Sequence, residues 1–255
     1  MNNKLLKMIM SLLIVMNLIV PAYKAEATVS VSYEEGLVKT AEYNANILRK
    51  QISYEYNKAL SVPNMPLFNQ TKDSYTKAYS AVTALKSSTT KTQLLNRLSS
   101  NVKLHIDRAV AYIDALNAGK KIETLTKELR YLKNEEIYML PVTSEYYHKL
   151  SSEIRKQAVL LYRVYGKSTR DAILKKYKLP AEEIRNHFAY FVTVYDLMDE
   201  GYIELSFDEY DVYYMLDLLI SINGLLPEIE SRYPEHVFYR IVLLTRGTHG
   251  FKLSA

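Results

Sequence analysis

EYYHKLSSEIRKQAVLLYRVY, residues 145–165, is the stretch on which the fold turns. Its apolar side chains recur at Tyr146, Leu150, Ile154, Ala158, Leu161 and Tyr165. Steps of three and four place all of them on one side of an α-helix. Gly166 comes at once and ends it.

The same spacing extends in both directions. Residues 33–60 repeat it at Leu37, Ala41, Ala45, Leu48, Ile52, Tyr56 and Ala59, and Pro63 and Pro66 then make a short stiff connection. A second pattern, Phe68, Tyr75, Tyr79, Val82 and Leu85, runs to the polar turn at 87–90. A third passes through Leu95, Leu98, Val102, Ile106, Ala109, Ile113 and Leu116, with Gly119 placed as its left-handed stop. Beyond these, a fourth segment over 120–137 is closed by Pro141. Ser168 with Asp171 reads as a capping box. Pro180 sits at a first helical position. Ser206 with Glu209 opens a helix to Ile222, which Asn223 and Gly224 stop, and Pro227 starts a last one. With only 7 Gly and 7 Pro in 255 residues, few punctuators remain for the turns of a β fold. The expected class is all-α: elongated, with consecutive triple-helical bundles joined by long helices. The expected division is a first bundle over 28–118, further helical bundles over 119–245 and an irregular tail over 246–255.

Residues 1–27 read as a secretory signal. Lys4 and Lys7 precede the apolar run Met8–Val20, Pro21 breaks it, and Ala25-Glu26-Ala27 supplies the small-x-small cleavage pattern. The apolar run is too short for a bilayer span, which needs roughly 20 residues. A secreted chain located in the cell wall is expected, with no membrane span after cleavage. There is no cysteine, which removes thiol catalysis, thiolate metal sites and iron–sulfur clusters.

Net charge is +5, but its distribution says more. Residues 86–185 carry 20 Lys and Arg against 11 Asp and Glu, whereas residues 196–235 carry 11 acidic side chains against Arg232 alone. Within the basic part, Lys149, Lys156 and Arg163 recur every seven residues opposite the apolar face of 145–165. His148, Arg155 and Tyr162 form a second stripe beside them. A bare basic face is usually just a solvated face. Here Arg forks, mobile Lys charges and flat Tyr rings are mixed, which suits an anionic polymer of sugar rings. Such contacts, weak singly, add along an extended ligand.

Glu145-Tyr146-Tyr147-His148-Lys149, together with Arg163-Val164-Tyr165-Gly166-Lys167-Ser168-Thr169-Arg170-Asp171, resembles the N-terminal cell-wall-binding domain of S-layer proteins from thermophilic bacilli. The likeness continues through Ala181-Glu182-Glu183-Ile184-Arg185 and Ala111-Tyr112-Ile113-Asp114-Ala115. It implies triple-helical bundles and binding to the acidic secondary cell-wall polymer attached to peptidoglycan. Carried over by position, it points to Arg155, Tyr162, Arg163, Tyr165, Lys167 and Arg170. The full candidate set adds His148, Lys149, Lys156 and Arg185. Members of that family continue into β-domains that build a lattice, and this sequence stops at Ala255, so a stand-alone paralogue or a truncated product is expected.

Other chemistry is set aside. Gly166-Lys167-Ser168-Thr169 lacks the earlier Gly of a phosphate loop, since position 161 is Leu. Residues 196–207 lack two ligand positions of a calcium loop, which Met198 and Phe207 occupy. The five His show no zinc spacing. The expectation is therefore a non-catalytic wall anchor with no cofactor, no metal and no nucleic-acid partner, and with other S-layer subunits as further partners. Two alternatives are a surface protein mediating protein–protein contacts and a wall-polymer hydrolase.

Overall fold

A computed structural model describes residues 33–234. Among them every regular element is helical and there is no strand. The signal expected over 1–27 and the tail expected over 246–255 lie outside the described residues. The chain divides into two compact units after Ile113, inside a helix. The sequence pattern places this division at residue 118.

The first unit contains α1 (residues 33–51), the single turn α2 (Tyr54–Asn57), α3 (Met65–Ala84) and α4 (Thr89–Arg97). A π-helical turn, Leu98–Lys103, joins α4 to α5 (Leu104–Asn134), whose start belongs to this unit. Val38, Ala41, Ala45 and Leu48 of α1, and Ile52 in the turn just after it, are buried, as are Phe68, Ala78 and Val82 of α3. α1 ends well before Leu60, because Ser53 is extended and Lys58 adopts the left-handed conformation at φ 53°. Tyr56 and Ala59 are exposed and do not continue the buried stripe. Gln51 turns the chain by accepting from the Asn64 N–H at 2.9 Å, and Asn64 in turn caps α3 by accepting from Leu67. Pro66 thus lies in the first turn of α3, where its missing N–H is no loss, and not in the connection.

Glu42 of α1 is gripped by the Arg97 fork, at 3.0 Å from Nε and 2.6 Å from Nη2, and by Asn101 at 2.9 Å. The Arg97 hydrogen bond is the main reason its carboxyl is held below the usual range. His105 carries a buried Nδ1 with no hydrogen-bond partner among the described residues, and burial pushes its pKa down. The neutral imidazole is the folded form. Stability is therefore complete above the unfolded value of about 6.5 and falls as pH drops below it, because the unfolded chain takes up the proton first. We expect the thermal midpoint to fall between about pH 7.5 and about pH 5.5. His105→Leu should flatten that dependence, measured by helical circular dichroism.

Buried positions in α4 and α5 advance by fours: Leu94, Leu98, Val102 and Ile106. A helix of 3.6 residues per turn falls behind such a pattern by about one residue over three steps. The π-helical turn takes up that extra residue, so one stripe stays on one face. Thr169, Ile173, Tyr177 and Ala181 repeat the pattern in the second unit, across the π-helical turn Leu174–Lys178.

That unit holds the rest of α5, α6 (Pro141–Tyr162), α7 (Lys167–Ile173), α8 (Leu179–Glu204) and α9 (Val212–Arg232). α8 packs against both α6 and α9. Tyr138, Phe188, Phe191 and Tyr233 form an aromatic knot with ring centroids 4.7–5.4 Å apart. Gly119 does not stop a helix: α5 runs through it, and a Cβ there would lie 2.4 Å from the buried ring of Tyr177. Its role is close approach. Pro141 starts α6 and does not close a separate segment over 120–137. The chain between α6 and α7 turns at Gly166, φ 86°, and no side chain caps α7, so the Ser168 box is not used. α9 is capped by Asp211, which accepts from the N–H groups of Tyr213 and Tyr214, whereas the Ser206 hydroxyl donates back to Ile203. Asn223 and Gly224 do not interrupt α9, and Pro227 lies within it. Leu218 and Ile229, three turns apart on one buried side, anchor the helix across that region.

Candidate functional site

α6 carries the basic stripes on a rigid support. Its buried side is Leu150, Ser151, Ile154, Gln157 and Leu161, with Val164 next in the turn. This moves the buried line slightly from the expected one: Tyr165 is 61% exposed while Val164 takes the inward place. Tyr162 is likewise exposed. Two tyrosines therefore stand on the surface at the end of α6, where a flat ring can meet a sugar.

The cations differ in what they already hold. Lys149 pairs with Glu145 one turn earlier, lies 5.7 Å from the Tyr146 ring centroid, and has its pKa raised chiefly by the Glu145 bond. Arg163 pairs with Asp114 of α5 at 2.6 Å. Lys167 pairs with Asp171 at 2.6 Å. Arg170 is half-buried and reaches the Val164 carbonyl at 3.4 Å, bracing the Gly166 turn. Arg185, on α8, donates to the neighbouring Asn186 at 2.9 Å. Arg155 and Lys156 are exposed and have no ion-pair partner among the described residues.

His148 sits apart from these. Its Nε2 is 2.7 Å from Asp196 of α8, whose other oxygen accepts from Ser144 at 2.5 Å. It lines an acidic cleft of about 470 Å³ with Asp199, Glu200, Glu204 and Tyr214. There the Tyr214 hydroxyl donates to Glu200, which pushes its pKa up to about 12. His148 thus belongs to the acidic side of the unit, not to the basic stripe.

The structure gathers Tyr162, Arg163, Tyr165, Lys167 and Arg170 around the α6–α7 turn, with Arg155 and Lys156 farther back on α6. It also adds Lys178, whose Nζ lies 5.9 Å from the Tyr162 ring centroid and which pairs with Glu182. Lys178 carries no signal in the sequence, because the turn at Gly166 is what brings α6 and the π-helical segment together. Asp114, the partner of Arg163, stands in the quoted Ala111–Ala115 string without any sign of its role. Among the described residues no group of three or more His, Asp or Glu is placed to hold a metal ion. Exposed cations and rings on rigid helices can bind an extended anion by several separate contacts.

Comparison with known proteins bears on the family and the fold. A family model described as the SbsC C-terminal domain matches residues 49–182, more than half of the chain. An S-layer protein of Geobacillus stearothermophilus is 37% identical over 95 residues, 37% of this chain and 8% of its own length. The chain thus spans less than a tenth of that relative. Among solved structures, the N-terminal part of the bacterial S-layer protein SbsC superposes with a TM-score of 0.63 at 21% identity, covering 83% of this chain and 52% of its own. A structure of SbsC domains 1–6 gives a TM-score of 0.64 at 22% identity, covering 76% of this chain and 28% of its own. At these identities the structural likeness is one of fold.

Proposed function

The chain belongs to the S-layer family whose model is described as the SbsC C-terminal domain, and from that premise we propose that it is a non-catalytic wall anchor. Membership supports a structural role at the cell surface. The ligand we assign is an acidic secondary cell-wall polysaccharide attached to peptidoglycan, held on the face formed by α6 and the Gly166 turn. The observation that carries this is the pair Arg155 and Lys156, exposed and without ion-pair partners among the described residues, in line with the exposed ring of Tyr162. An anion arriving there displaces no existing ion pair. Lys149, Arg163 and Lys167 would have to exchange an acidic partner for the ligand, so they contribute less. Other S-layer subunits remain the second class of partner that membership suggests.

Residues 28–255 should co-sediment with purified cell walls, and the binding should vanish once hydrofluoric acid has stripped the secondary polymer. Binding that survives the acid would rule the polymer out as ligand. The double variant Arg155→Ala, Lys156→Ala should weaken binding by about tenfold, the loss of one good charge-assisted contact. Its helical circular dichroism should match that of the parent. Arg170→Ala is the less informative variant, because that side chain also braces the turn.

A further inference from the structure

A concave pocket of about 460 Å³ opens where the ends of α5 and α9 meet the first turns of α8. α5 lines it with Arg130, Lys133 and Asn134, whose spacing by three and four puts them on one side of the helix end. Glu183 and Asn186 face them from α8, and Arg232 from α9. Arg130 and Lys133 are exposed and hold no ion pair among the described residues. Arg232 keeps a long contact with Glu228, at 3.3 Å, and its guanidinium carbon lies 4.8 Å from the Tyr190 ring centroid. The walls are pinned in place. The Tyr138 hydroxyl donates to the Lys133 carbonyl at 3.2 Å, and the Tyr233 hydroxyl donates to the His187 carbonyl at 3.0 Å. Arg130 lies about 24 Å along α5 from Asp114, the partner of Arg163, so the pocket is no part of the α6 face.

We propose that this pocket binds a single sugar acid, one pyranose ring carrying a carboxylate. A cation near a helix C-terminus offsets that helix's own dipole. Here two such ends open onto one depression, and Glu183 alone opposes Arg130, Lys133 and Arg232. The surplus positive charge selects an anion, and an Arg fork takes a carboxylate through two parallel bonds. The remaining groups select a sugar. A bare inorganic anion would meet Glu183 as a like charge, whereas a sugar hydroxyl can donate to it. The Asn134 amide can both donate to and accept from hydroxyls, and Asn186, whose oxygen already accepts from Arg185, has its NH2 to give. Pro180 and the half-buried ring of Tyr233 add apolar surface for the C–H face of a pyranose. The volume falls within the range of about 300–1,000 Å³ usual for small-ligand sites. This proposal does not depend on the wall-anchor reading, which concerns another face of the unit.

The test titrates glucuronate into residues 28–255 at low salt, followed by calorimetry. A Kd on the order of 1 mM is expected for a ligand of this size, weakening as salt rises. Glucose, which lacks the carboxylate, and inorganic phosphate, which lacks the hydroxyl-bearing ring, should each bind about tenfold more weakly or worse. Arg130→Gln removes one charge-assisted contact from a side chain that holds no ion pair, and should raise the glucuronate Kd about tenfold. Lys121→Gln, which removes an exposed cation of α5 outside the pocket, should leave it unchanged. So should Arg155→Gln with Lys156→Gln, which separates this pocket from the α6 face. No glucuronate binding well above 1 mM would overturn the proposal. So would an equal Kd for Arg130→Gln and the parent, or phosphate binding as tightly as glucuronate, which reduces the pocket to a general anion site. If Arg130→Gln loses its helical circular dichroism, Lys133→Gln, likewise exposed and without an ion pair, decides in its place.

Discussion

Gly119→Ala is expected to destabilise the protein by about 1–3 kcal/mol, although the same exchange in an open helix gains up to about 1 kcal/mol. The opposing sign comes from one contact. The new methyl would lie 2.4–2.7 Å from three carbons of the Tyr177 ring, well inside van der Waals distance. Tyr177 cannot swing aside, being 2% exposed and seated in the π-helical turn. α5 and that turn must move apart, or the ring must leave its rotamer. Gly36→Ala is the matched control: it lies in α1 with nothing within 4 Å of the added carbon. It should raise the thermal midpoint slightly where Gly119→Ala lowers it by several degrees. If the two variants shift the midpoint in the same direction, the close-approach role of Gly119 is wrong.

Phe191→Ala should be more damaging still, at about 3–5 kcal/mol. Phe191 is fully buried on α8 and meets the Tyr138 ring at 4.7 Å and the Tyr233 ring at 4.9 Å. Removing it takes away the transfer free energy of the ring, leaves a cavity, and breaks two aromatic pairs worth about 0.5–1.5 kcal/mol each. The large rings around the gap cannot collapse into it without losing their own contacts. A thermal midpoint lower by roughly 10 °C is expected, at about 2–4 °C per kcal/mol for a chain of this size. Phe191→Leu, which keeps most of the volume, should lose well under half as much. Equal losses for the two variants would show that the ring contacts do not matter there.

The helical class is readable because its two signals, three–four spacing and scarce Gly and Pro, are local properties of the chain. Helix ends are less legible, and in a consistent direction. Gly119, Pro141, Asn223 and Gly224 carry local stop signals and none of them stops a helix here, and Pro227, which carries a start signal, starts none. At Gly119 the competing cause is packing against Tyr177, and in α9 it is the buried pair Leu218 and Ile229. Ser206 and Asp211 are both good caps by residue type, and only the turn geometry separates them in favour of Asp211. For the candidate site, the basic stripes of α6 are visible as seven-residue repeats. What they pair with is not: Asp114 and Asp196 lie 49 and 48 residues from Arg163 and His148. Those two partners change the ranking of the candidates, since they occupy Arg163 and turn His148 toward the acidic end.

The two π-helical turns also say how these helices can tolerate change in length. A widened turn is a place where one residue has already been accommodated without rotating the helix beyond it. Losing a residue from 98–103 or 174–178 would tighten that turn to an ordinary one and leave the downstream face in place. The same loss in the middle of α6 or α8 would swing every later side chain by about 100° and bring polar groups into the core. A single-residue deletion therefore has two natural addresses in this chain, 98–103 and 174–178.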